Sequence, residues 1–160
     1  MRMPQIKLIG VLLLLSAALF GVFYFHAIER RRLRVLEAWI ELIGLIREQI
    51  DCFLTPLCDI LRLADRQLLS TLSSKASPSD LSELLSASAP FLDPDSKRHL
   101  SSLVRTLGSG YREDQIRACD YYLSQLRNRR EELGGQMPAR LKTGGALILC
   151  AAIGIALLLW

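Results

Sequence analysis

Two apolar runs, Leu8–Phe25 and Thr143–Trp160, restrict what this chain can fold into more than anything else in it. Each extends about eighteen residues without a charge, just the length that a helix rising ~1.5 Å per residue needs to cross a ~30 Å hydrocarbon core. Every charged residue except Arg2 and Lys7 lies between them. The pattern predicts an all-α membrane protein with one transmembrane helix over residues 8–28 and a second over 143–160. Between them, residues 29–142 form a small antiparallel helical bundle on one side of the bilayer. Such a hairpin points to anchoring and assembly rather than to catalysis in solution.

The flanking charges give the side. Arg30, Arg31, Arg32 and Arg34 follow the first run, and Arg140 and Lys142 precede the second. Basic residues near span ends are retained in the cytoplasm. These six outweigh Arg2, Lys7 and the terminal amine, which places the bundle in the cytoplasm and both termini on the far side. The alternative is a cleaved signal peptide followed by a C-terminal anchor. Arg2 and Lys7 fit its charged start, but the apolar run exceeds the usual ~7–15 residues and no A-x-A-like site follows. The arginines also have a plainer use, solvating a helix end and touching anionic lipid.

The middle region carries all sixteen acidic residues and all but two of the twenty basic ones, so it is nearly neutral. Its charges are interleaved rather than gathered on one basic face with aromatics, which argues against nucleic-acid binding. Cys52, Cys58, Cys119 and Cys150 lack metal-ligand spacing and read as small apolar residues, with Cys150 inside the second span. Neither His26 nor His99 belongs to a nucleophile or metal pattern. No phosphate-binding G-x-x-x-x-G-K-[ST] loop occurs. The expectation is a protein without catalytic residues, cofactor or metal.

From Leu33 a heptad seam runs through Leu36, Ile40, Ile43, Ile50, Leu54, Leu57, Leu61, Ala64 and Leu68, with Arg47 in one slot. Pro56 predicts a kink or break near Phe53–Thr55, with Thr55 capping a second helix. The Ser-rich stretch from Ser70 begins as a loop. Ser79 then caps a short helix over 80–85, and Asp95 or Ser96 opens another through about Leu107. Gly108 ends that one. A last helix begins near Arg112 or Glu113 with Ile116, Cys119, Leu123, Leu126, Leu133 and Met137 inward and Arg130 in a seam slot. Gly134, Gly135 and Pro138 predict a bend or interruption before the second span.

Two seams rooted in one membrane run antiparallel, forming a coiled-coil-like hairpin with the shorter helices at its far end. Ile40 and Ile43 fall level with Leu133 and Met137. Arg47 and Arg130 fall at comparable heights, with Glu41, Glu48 and Glu131 as candidate partners. In the spans, Ala146, Cys150 and Gly154, and likewise Ala17 and Gly21, line small groups along one face, expected to pack against the other span. Self-association is the lesser use of such stripes, and part of the heptad seam has facing another subunit as its alternative.

Several of these elements occur together elsewhere. Lys7-Leu8-Ile9-Gly10 opens the first span and Gly21 stands near its end. Thr55-Pro56-Leu57 follows the heptad helix, then Leu107-Gly108, Gln115, Leu123, Leu126 and a Gly-containing apolar tail. In that order and spacing the chain resembles the stage III sporulation protein AB family of endospore-forming bacteria over nearly its whole length. Gln49, Cys52 and Tyr111 depart from the family pattern and mark a divergent member. The resemblance implies similarity to the inner-membrane platform protein of type II secretion and type IV pilus machines. It further implies a non-enzymatic scaffold of the channel complex joining mother cell and forespore, in the mother-cell membrane around the forespore. The implied partners are a secretion-type ATPase encoded beside it and other membrane proteins of the channel.

The candidate docking surface is then Thr55, Pro56, Gly108, Tyr111 and Gln115, although Thr55, Pro56 and Gly108 also suit plain helix capping and turning. A reading from a different class is a membrane-anchored regulator or sensor that binds a soluble cytoplasmic factor.

Overall fold

The computed structural model describes residues 3–53, 57–73, 80–107 and 111–159. Apart from short connections these are helical, and no strand occurs among them. The elements are α1 (Met3–Phe53), α2 (Leu57–Leu63), α3 (Arg66–Leu72), α4 (Leu81–Ser88), a one-turn 3-10 helix (Ala89–Phe91), α5 (Pro94–Thr106) and α6 (Arg112–Leu159). The contacts divide into two compact units. One comprises the residues up to Arg30 and those from Gly134 onward; the other is Arg31–Leu133.

The first unit pairs the apolar parts of α1 and α6. Both helices are long and apolar enough to cross a membrane, with best windows of mean hydropathy 1.8 and 1.3. Only 6 % and 11 % of those windows is buried, which sets them apart from the core helices of a soluble protein. Leu12, Phe20, Phe23 and Leu157 are largely exposed. The two helices run antiparallel. Gly21 lies against Ile148, Gly145 against Val22, and Gly144 meets the Phe25 ring so closely that a Cβ there would stand 2.6 Å from it. Ala18 and Ala152 are buried at the same contact.

Gly21 thus packs against the other apolar helix as expected, but the rest of the expected small-residue stripe is displaced. Ala17, Ala146, Cys150 and Gly154 are exposed, and a Cβ on Gly154 would meet nothing within 4 Å. The packed face follows Gly144, Gly145, Ile148 and Ala152, because glycine there admits the bulky Phe25 and Val22. Nor do Gly134, Gly135 and Pro138 interrupt α6, which continues through them as one helix. The carbonyl that the proline ring must clear belongs to residue i−4, here Gly134, whose backbone is the least restricted of any residue.

The second unit has one contiguous core. The seam positions Leu36, Ile43, Ile50, Leu61, Ala64 and Leu68 are buried in it, as are Cys119, Leu123 and Leu126 of α6. Val35, Ala38, Trp39, Leu42 and Ile46 are buried as well, so the apolar face of α1 is wider than a heptad stripe. A two-stranded seam needs two positions in seven, whereas a helix with neighbours on two sides buries a broader arc. Trp39 marks the second side. Its Nε1–H donates to Ser88 Oγ at 2.9 Å, and that hydroxyl donates to the Leu84 carbonyl at 2.8 Å.

The short helices accordingly lie alongside the hairpin rather than at its far end. Ser88 meets Trp39, Phe91 lies 4.2 Å from the Arg31 guanidinium, and Asp93 meets Arg129. Four local expectations shift. Asp65 ends the second helical run and caps α3, accepting the Gln67 N–H at 3.0 Å. Ser70 and Thr71 are helical, held there by the burial of Leu68, Leu69 and Leu72. The helix expected over 80–85 runs from Leu81 to Ser88 with Asp80 at its N-cap position. The cap of α5 is Asp93, with Pro94 in the first turn, not Asp95 or Ser96. Residues 54–56, 74–79 and 108–110, on which the proline break, the Ser79 cap and the Gly108 stop were expected, lie outside the described residues.

Replacing Trp39 by Phe removes the buried donor and some apolar volume together. The loss expected is about 1–3 kcal/mol of unfolding free energy, read from denaturant unfolding of the detergent-solubilised chain. Ser88→Ala should also destabilise the fold, because it leaves the buried Trp39 N–H without its acceptor.

Candidate functional site

The polar chemistry of the second unit is concentrated in arginine–carboxylate pairs. Arg47 Nε sits 2.6 Å from Asp120 Oδ1, with Asp51 a further 3.8 Å neighbour. Arg130 meets Glu37 Oε1 at 2.6 Å. Glu37 and Arg47 are ten residues apart on α1, and their partners Arg130 and Asp120 are ten apart in the opposite direction on α6. The antiparallel hairpin is thus directly visible, in a register different from the expected one. Ile40 is level with about Arg127, not Leu133. Arg47 and Arg130 stand ~15 Å apart along the axis, at ~1.5 Å per residue. Their partners are Asp120 and Glu37 rather than Glu41, Glu48 or Glu131. The physical reason is charge: sliding α6 by seven residues toward the expected register would set Arg47 opposite Arg127 and Glu37 opposite Met137.

A second group gathers on Arg129. Its guanidinium reaches Asp93 at 3.0 Å, Asp95 at 3.4 Å and Glu132 at 2.9 Å. Asp93 also accepts the Ser96 backbone N–H at 3.3 Å. Burial alone would raise its pKa, but hydrogen bonding from Ser96 and the Arg129 charge overcome that and hold it below the usual carboxylate value. The buried Ser96 hydroxyl lies close to this carboxylate without making a well-formed hydrogen bond to any group.

At the other end of the unit Arg112 binds Asp51, through its carboxylate at 2.8 Å and through its backbone carbonyl. Tyr111, next to it, is 83 % exposed. Gln115 is half-buried and engaged in a polar contact. Thr55, Pro56 and Gly108, the other candidate docking residues, lie outside the described residues. The six basic residues that border the apolar runs, Arg30, Arg31, Arg32, Arg34, Arg140 and Lys142, are all exposed. Arg31 nonetheless packs over Phe91, and Arg140 donates to the Gln136 side chain at 3.0 Å.

The remaining candidates for chemistry are dispersed. Cys119 is fully buried, and burial pushes its thiol up to about 11, which leaves it protonated and inert at neutral pH. Cys150 is exposed. His99 is half-buried and leans on Tyr122, ring centroids 6.1 Å apart, while Tyr122 stacks edge-on with Tyr121. Among the described residues no group of three or more His, Cys, Asp or Glu side chains is placed to hold a metal ion. Sequence reasoning missed Trp39, Asp93 and Arg129. The Asp93-Pro94 pair was the available signal for the cap.

Asp93 stabilises the fold only while it is ionised. Because its folded pKa is lowered, that contribution is complete above the ordinary carboxylate range and is lost as pH falls through the folded value. Asp93→Asn should therefore unfold at lower denaturant concentration than the parent at pH 7, and the gap between them should be narrower at pH 3. An equal gap at both pH values would show that the charge is not what matters.

No protein-family model, curated protein or solved structure matches the chain, so its function has to be argued from its own residues.

Proposed function

We propose that the chain is a non-enzymatic membrane scaffold that docks a secretion-type ATPase to a transmembrane assembly. The observation that carries the reading is a pair of long apolar helices with outward-facing Leu and Phe side chains, each continuous with a charged helical segment. Lipid is the solvent that such faces suit, and a chain fixed in lipid at both apolar segments presents its polar unit in one orientation. Arg30, Arg31, Arg32, Arg34, Arg140 and Lys142 support a cytoplasmic position for that unit under the positive-inside rule.

The docking surface is the end of the polar unit marked by Asp51 and Arg112. Tyr111 supports this choice: a nearly fully exposed aromatic beside an ordered helix start is the residue type that anchors protein interfaces at low entropic cost. The assembly is the sporulation channel between mother cell and forespore, with the chain in the mother-cell membrane. That assignment rests on the resemblance carried by Lys7–Gly10, Thr55–Leu57, Leu107-Gly108 and Gln115.

Two measurements test the reading. Reporter fusions at Ser74 should be active on the cytoplasmic side and fusions at both termini on the opposite side; the reverse pattern removes the docking role. In detergent extracts the full chain should retain the secretion-type ATPase encoded beside it. Tyr111→Ala combined with Gln115→Ala should weaken retention at least tenfold without loss of helix content. Retention unchanged by that pair would remove the surface assignment.

A further inference from the structure

One face of the α1–α6 hairpin is left uncovered by the described residues and carries a depression of about 300 Å³, lined by Glu37, Ile40, Glu41, Arg127, Arg130 and Glu131. Ile40, half-buried, supplies its apolar floor, and one turn further along α1 a Cβ on Gly44 would meet only open space. Opposite charges face each other across the groove at equal heights. Two couples are closed within the chain, Glu37–Arg130 and Arg47–Asp120, each at 2.6 Å.

The third couple is open. Glu41 lies one turn beyond Glu37 on α1, and Arg127 lies three residues before Arg130 on α6, which puts them level. Both are exposed, and neither has a hydrogen-bond or ion-pair partner among the described residues.

We propose that this face is the contact between two copies of the chain, related by a two-fold axis that runs along the hairpin. Such an axis lays α1 of one copy across α6 of the other at the same height, as an isologous contact requires. Glu41 then meets the partner's Arg127, and Arg127 the partner's Glu41. The closed couples are repeated across the contact, each opposing an acid to a base. The two Ile40 side chains approach one another at the axis, and the space beside Gly44 receives a partner side chain.

The direction of the axis rests on the membrane-anchored reading above. Copies inserted the same way in one bilayer are related only by axes along its normal. The face measures ~15 Å between its closed ion pairs, small for a complex in solution. Confinement to one bilayer supplies the effective concentration that such a contact needs.

The test uses the full chain in phosphatidylcholine vesicles, with donor- and acceptor-labelled copies mixed and energy transfer followed against protein-to-lipid ratio. The wild type should show saturable transfer well above that of randomly placed monomers. E41R alone and R127E alone should each weaken association at least tenfold, and E41R/R127E should return to within threefold of wild type. Transfer at the random level in the wild type, or a double variant no stronger than the singles, overturns the proposal. The wild-type measurement needs no variant to fold. A wild-type monomer that still retains the ATPase overturns the two-copy contact alone; an intact dimer without retention overturns the docking reading alone.

Discussion

The polar unit depends on α1 and α6 lying side by side in one register, and charge rather than apolar burial selects that register. Leu and Ile recur so regularly on both helices that a slide of one heptad would still bury apolar surface. The arginines are less forgiving. In the observed register Arg47 meets Asp120 and Arg130 meets Glu37. Moving α6 one heptad one way opposes Arg47 to Arg127; moving it the other way leaves Glu37 opposite Leu123. Each pair is partly exposed, so water and salt screen it and it adds little to stability. Such pairs therefore discriminate between alignments of similar burial without supplying much of the stability.

Stability comes from the layer that the short helices add. Trp39, Leu42 and Ile46 would be solvent-exposed on a bare two-helix hairpin, and their burial beneath α3–α5 widens the core of α1 from a stripe to an arc. Burying each such side chain contributes roughly 1.5–3 kcal/mol before conformational entropy is counted. The layer is pinned at points of different chemistry. These are the Trp39–Ser88 hydrogen bond, the Arg31 cation over the Phe91 ring, and the Asp93 cap shared with Arg129. Arg129 thus ties the start of α5 to α6, linking a local capping requirement to the tertiary fold.

The sequence disclosed what depends on local pattern and concealed what depends on neighbours. The helical character, the two apolar segments, the start of α6 at Arg112 and the inward face of Cys119, Leu123 and Leu126 all follow from periodicity and end signals. The antiparallel direction followed from the chain's geometry, but the register did not, because it turns on Asp120 and Glu37, which look like ordinary surface acids. Trp39 escaped notice because it falls off the heptad stripe and gains its neighbour from Ser88, forty-nine residues away. The packed face was misjudged on the second apolar helix: Gly145 and Ala152 pack where Ala146 and Cys150 were expected, since Phe25 seeks the glycines. Of the candidate docking residues, only Tyr111 and Gln115 have described positions. Tyr111 is exposed beside the start of α6.

The setting of Cys119 has a practical corollary. Its sulfur is sealed in the core, and its proton is retained far above neutrality. Thiol reagents attack the thiolate, so they meet this side chain only when α1 and α6 part. In a chain whose other cysteines have been replaced, the pace of alkylation at this one sulfur would time the breathing of the helix pair in an intact vesicle, where a fluorescence or calorimetric melt of the whole chain reports only its collapse.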